Sequence, residues 1–74
     1  MVPVYQNIEL IRKRKGVTKT HIAKKCNKTT QWYYGISTGK RQPNVEALQQ
    51  IADALEVDVR DFFTNQLSET RNIS

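Results

Sequence analysis

Apolar residues recur at helical spacing from Ile8 to Phe63, and the breaks between them carry capping residues. Ile8 and Ile11, with the stem of Lys15 one turn further on, predict a first helix. It begins near Asn7 and closes at Gly16, where a left-handed residue ends a helix at little cost. Thr18 is a fresh N-cap, and Ile22, Ala23 and Cys26 form the buried stripe of a second helix. Asn27 suits a tight left-handed turn, leading into a third helix from about Thr29 to Ser37. Thr38 to Pro43 reads as a loop. Asn44 caps a fourth helix with the stripe Val45, Leu48, Ile51, Ala52 and Leu55, and Asp58 caps a short fifth one carrying Val59, Phe62 and Phe63. Beyond Thr64 the sequence is polar and aperiodic, which predicts a frayed tail or an arm ordered by a partner.

The chain is therefore expected to be all-α, a compact bundle of about five short helices. An arm over residues 1–6, a folded unit over 7–64 and a polar tail over 65–74 complete it. With Tyr33 at zero on a helical wheel of about 100° per residue, Thr29, Tyr33 and Ile36 share one face and Gln31, Tyr34 and Gly35 the opposite one. Two helices joined by a short turn, the second polar on its outer face, form a helix-turn-helix, whose second helix enters the DNA major groove.

Length and charge sharpen that picture. Seventy-four residues leave room for one domain, which at this size buries about 60% of its unfolded surface. Cys26, the only cysteine, forms no internal disulfide, and no Cys/His cluster has metal-ligand spacing, so a reducing cytoplasm and no cofactor are expected. The N-terminus does not resemble a signal peptide, and no apolar run approaches the ~18 residues of a membrane span. The net charge is +5, and its distribution is more telling. Arg12, Lys13, Arg14, Lys15, Lys19, Lys24, Lys25, Lys28, Lys40 and Arg41 follow one another without an acid, whereas Glu46, Asp53, Glu56, Asp58, Asp61 and Glu69 lie in the second half. One sign gathered on a contiguous segment is the electrostatic footprint of a nucleic-acid binder. One His, one Cys and no paired acids beside them offer no nucleophile and base, so the chain reads as a non-enzyme.

Through the segments RKRKGVTKTHIAKK, GKRQPNVEALQQIADAL and VDVRDFF, the chain resembles the Cro/repressor (Xre) family of phage and bacterial regulators. The resemblance runs without a gap from Ile11 to Phe63, with Gly16, Ile22-Ala23, Gly39-Lys40, Pro43, Leu48, Ile51-Ala52 and Leu55 at family spacing. It implies a lambda-repressor-like fold and a double-stranded DNA operator as partner. It also implies base reading by Thr30, Gln31 and Gly35, with Tyr34 beside them. The amide of Gln31 can pair in a bidentate manner with adenine, while Thr30 offers a hydroxyl, or a methyl to pack on thymine. Lys19 stands where the family usually has Gln, so the implied contact becomes a charge pair with phosphate. Lys28, Thr29, Thr38, Lys40 and Arg41 fall where the family clamps the backbone, with N–H groups near Asn44 adding a helix-terminus contact.

Some positions depart from the family. Many relatives have Glu at the place of Ser37, paired with the Arg equivalent to Arg12; here Arg12 is free to reach phosphate, the contact expected of it ahead of the rest of the run Arg12 to Lys15, or must find another partner. Glu56 stands where the fourth helix would normally end in Gly, which predicts strain or a different exit. Tyr33 is expected in the core and Trp32 half-buried, with its edge along a sugar and phosphate. Gly35 costs a helix about 1 kcal/mol relative to Ala. Either it admits a close approach to the bases, or it leaves room for Tyr34, or it is an unselected surface residue. The expected activity is transcriptional regulation by a small Cro-like repressor in the cytoplasm of a bacterium or a phage-infected host. This reading leaves room for a homodimer, at least on DNA, around Phe62, Phe63 and the tail, and for a regulatory protein partner. The alternative is a protein-interaction module, such as an antitoxin or adaptor, on the same scaffold. Thr30 and Gln31 exposed among ten basic residues would separate the two.

Overall fold

The computed structural model describes residues 3–63 and, among them, is built from helices alone. α1 spans Val4–Lys15, α2 Lys19–Lys25, α3 Thr30–Ser37 and α4 Val45–Leu55; a 3-10 helix over Val59–Phe63 stands where a fifth helix was expected. α1 starts earlier than the expected Asn7, so residues 4–6 are helix rather than arm. Pro3 presets the entry at φ −59°, and its carbonyl accepts the first helical bonds from the N–H groups of Gln6 and Asn7. Residues 64–74, where the polar tail was expected, lie outside the described part.

Local chemistry fixes the breaks. Thr18, Thr29 and Asn44 each cap a helix, their side-chain oxygens accepting from His21, Trp32 and Ala47 N–H at 3.0, 3.1 and 2.7 Å. Each of the four α-helices is followed by a left-handed residue: Gly16, Asn27, Gly39 and Glu56. After each of them the next N–H reaches back to a carbonyl five residues earlier, as in Lys28 N–H to Ala23 O at 2.9 Å and Val57 N–H to Ala52 O at 3.0 Å. The predicted strain at Glu56 is present. It holds φ 60° with a Cβ in the way, where glycine would be unopposed.

One core joins the elements. Ile8 and Ile11 of α1, Ile22, Ala23 and Cys26 of α2, Tyr33 and Ile36 of α3, Leu48, Ile51, Ala52, Ala54 and Leu55 of α4, and Phe62 converge on it. Two residues assigned to it from the sequence lie outside: Val45 is 81% exposed and Phe63 59%. Val45 is the first residue of α4, ahead of the buried stripe that begins at Leu48, and Phe63 follows the buried Phe62 on a tight 3-10 turn that points the two rings apart. Phe62 is fully buried, so it is core rather than partner surface. Asn7, a polar residue that the periodicity did not mark, is buried and donates from Nδ2 to Phe62 O at 2.9 Å, tying α1 to the 3-10 helix. No described helix is long and apolar enough to cross a membrane.

Candidate nucleic-acid interface

α3 is held from within by a polar network. The Tyr33 hydroxyl donates to Glu9 Oε2 at 2.7 Å, and the same carboxylate accepts two parallel bonds from Arg12, Nε to Oε2 and Nη2 to Oε1, both 2.9 Å. Arg12 Nη1 closes the chain on Val17 O at 2.7 Å. The side chains of Arg12 and Glu9 are only 12% and 15% exposed. Burial on its own would raise the Glu9 pKa, but the hydrogen bonds from Arg12 and Tyr33, with the charges of Arg12 and Lys19, outweigh it and hold the carboxyl below 4.5. Burial first, and then the bond to Glu9, push the Tyr33 hydroxyl far up. The network therefore exists in one protonation state through the neutral range, with carboxylate, guanidinium and phenol all in their bonding forms.

Arg12 was placed among the phosphate contacts on the sequence, and this is corrected. Without a Glu at position 37 its guanidinium turns to Glu9 on its own helix, and all three of its nitrogens donate inside the protein. Ser37 instead is buried and donates back to Tyr34 O at 2.9 Å.

The opposite side of α3 is open. Gln31 and Tyr34 are exposed, as the wheel required; Thr30 is exposed and Trp32 half-buried on the flanks, and Thr29, grouped with Tyr33 and Ile36 on the wheel, is exposed as the cap that precedes the helix. Lys19, at the start of α2, lies over the Tyr34 ring, and Lys28, in the turn before α3, lies over the Trp32 ring. Thr29 uses its oxygen as an acceptor for the cap, which leaves its O–H to donate outward. Asn44 does the same with Oδ1 and keeps its amide NH2. Thr38 differs: its hydroxyl donates to Tyr34 O and Gly35 O at 3.1 and 3.2 Å, so its only side-chain proton is engaged. Lys28, Trp32, Arg41 and Asn44 line one shallow groove between α3 and α4, which brings four of the expected backbone contacts together.

The loop carrying Lys40 and Arg41 is locked by the backbone. Both residues donate their N–H to Gly35 O at 3.0 Å. Gly39 makes this turn at φ 84°, and a Cβ there would stand 2.8 Å from Cε2 of Tyr5. Both its conformation and its neighbour oppose a side chain, which would be strained at this φ and would have to displace the Tyr5 ring. Gly35 is less constrained: a Cβ would lie 3.4 Å from Arg41 Cβ and 3.7 Å from Arg41 Nε, ordinary contact at its near limit. Tyr5 and Glu9 were missed in the sequence, since each acts across more than twenty residues of chain. One signal for Glu9 was present, because it is the only acid before Glu46.

A family model described as helix-turn-helix matches residues 8–62, most of the chain. Among curated proteins no significant match to the sequence is found.

Proposed function

Because the chain belongs to the Cro/repressor (Xre) family of DNA-binding helix-turn-helix regulators, we propose that it is a small sequence-specific repressor. It occupies a double-stranded DNA operator with α3 in the major groove. The observation that carries this reading is the outer face of α3: Thr30 and Gln31 are exposed, Lys19 and Lys28 lie over the rings of Tyr34 and Trp32 on the same helix, and Arg41 shares the groove beside it with Lys28, where Glu46 is the acid that borders them. Gln31 reads a base, Thr30 packs beside it, and Gly35 allows close approach. Lys19, Lys28, Thr29, Trp32, Lys40, Arg41 and Asn44 hold the sugar-phosphate backbone. Thr38 joins them only if its hydroxyl leaves α3.

One helix-turn-helix of this size has limited affinity, so two copies on a pseudo-palindrome with half-sites about 34 Å apart complete the reading. Phe63, exposed at the end of the 3-10 helix, is the apolar surface this reading offers for their contact. The test is selection of bound sequences from a random DNA pool, sizing of the complex, and titration against salt. A palindromic enriched site, two copies per duplex and a log-log salt slope of about −0.9 per phosphate contact are expected. A flat salt response, or a pool without enrichment, would overturn the reading and favour a protein-interaction module.

A further inference from the structure

The two aromatic residues on either side of Tyr33 each lie under a lysine that comes from outside α3. Lys19 Nζ is 4.7 Å from the centre of the Tyr34 ring, and Lys28 Nζ is 5.9 Å from that of Trp32. Positions 32 and 34 are two residues apart, about 160° around a helix by the shorter way, so the two rings leave α3 on opposite flanks. A cation over a ring face is attracted by the ring quadrupole at these distances, and a lysine stem so held loses the freedom to wander. Nothing in the packing asks for an aromatic at position 34, where the residue is 54% exposed.

We propose that Tyr34 is a positioning residue for Lys19, as Trp32 is for Lys28, so that the recognition helix carries a fixed cation on each flank for the phosphates of the two strands bordering the major groove. This rests on the DNA-binding reading above. It assigns Tyr34 a role through Lys19 in place of a base contact, and it joins the start of α2 and the outer face of α3 into one binding element. The major groove is about 12 Å wide, so a helix seated in it brings its two flanks close to opposite strands. Lysines fixed at those flanks meet the backbone without first being ordered.

The experiment uses the full chain and a duplex carrying the selected site. Affinity is measured against salt for the wild type, Lys19→Ala, Tyr34→Leu, Tyr34→Phe and the double variant Lys19→Ala/Tyr34→Leu. Tyr34→Leu is expected to bind about threefold to tenfold more weakly, with a salt slope shallower by about 0.9, as for Lys19→Ala. The double variant is then no more than about twofold weaker than Lys19→Ala alone. Tyr34→Phe recovers the slope. In the free protein, the Lys19 ε-methylene protons show an upfield ring-current shift that Tyr34→Phe keeps and Tyr34→Leu loses. Losses that multiply in the double variant would overturn the proposal, and so would a Tyr34→Leu variant that changes preference at one base with its slope intact. If the ring-current shift is present but the losses multiply, this inference fails alone. If the wild type shows no salt-dependent DNA binding, the functional reading fails and takes the inference with it.

Discussion

Tyr33 and Tyr34 are chemically identical neighbours on α3 with opposite duties. Tyr33 is fully buried and bonded to Glu9, whereas Tyr34 is 54% exposed beneath Lys19. The same division separates the two cations nearest them. Arg12 is committed inside the protein, and Lys19 stays at the edge of the open face. A recognition helix therefore needs an inner side that fixes its angle and an outer side that is left unsatisfied until a polyanion arrives. Altering the inner side should change stability, and altering the outer side should change binding.

The largest effect is expected from Glu9→Ala. It leaves the Arg12 guanidinium, 12% exposed, without its carboxylate and removes the acceptor of Tyr33, which should cost about 3 kcal/mol of unfolding free energy in denaturant melts. The same network sets an acid limb. The folded pKa of Glu9 lies below its ordinary 4.5, so its contribution is complete above 4.5 and is lost as the pH falls through the lower folded value. Glu9→Gln should flatten that limb. Asp58, held near 2 by hydrogen bonds from the Arg60 side chain and N–H, adds a separate, solvent-exposed part that remains in the Glu9→Gln variant.

Next comes one substitution made at both tyrosines. Tyr33→Phe removes a hydrogen bond to a charged partner and should cost about 1.5 to 3 kcal/mol, whereas Tyr34→Phe should stay within about 0.5 kcal/mol of the wild type. Equal losses at the two positions would erase the distinction between the sides.

How much of this division was legible in the sequence differs between backbone and side chains. The breaks at Gly16, Asn27 and Asn44 were readable because each residue acts on its own or the next turn, where spacing carries the information. The wheel separated Tyr33 from Gln31 and Tyr34 for the same reason. Tyr33 to Glu9 and Tyr5 to Gly39 were not readable, since they depend on how α1 lies across α3 and the loop after it. The absence of the family's Glu left Arg12 two outcomes, and spacing alone does not say that Glu9, one turn upstream on the same helix, turns inward to meet it. Val45 and Phe63 fit an apolar pattern but fall at the ends of their elements, where the chain turns away from the core.

Smaller effects probe the glycine positions. Gly35→Ala should stabilise the free protein by up to about 1 kcal/mol through helix propensity, because the added methyl meets Arg41 at ordinary contact distance. It should at the same time weaken or redirect DNA binding, and paired melts and titrations would check the opposite signs. Glu56→Gly relieves a left-handed residue far from α3 and should add up to about 1 kcal/mol while leaving operator affinity unchanged.

The most direct test of an outer side that reads sequence is a titration of Gln31→Ala and Lys40→Ala against the selected operator and its single-base variants. Gln31→Ala is expected to lose about 1 to 3 kcal/mol on the operator and to stop discriminating at one base position, while Lys40→Ala weakens every sequence alike. Equal and sequence-blind losses for both variants would contradict the assignment of Gln31, and with it the account of α3 as a reader of bases.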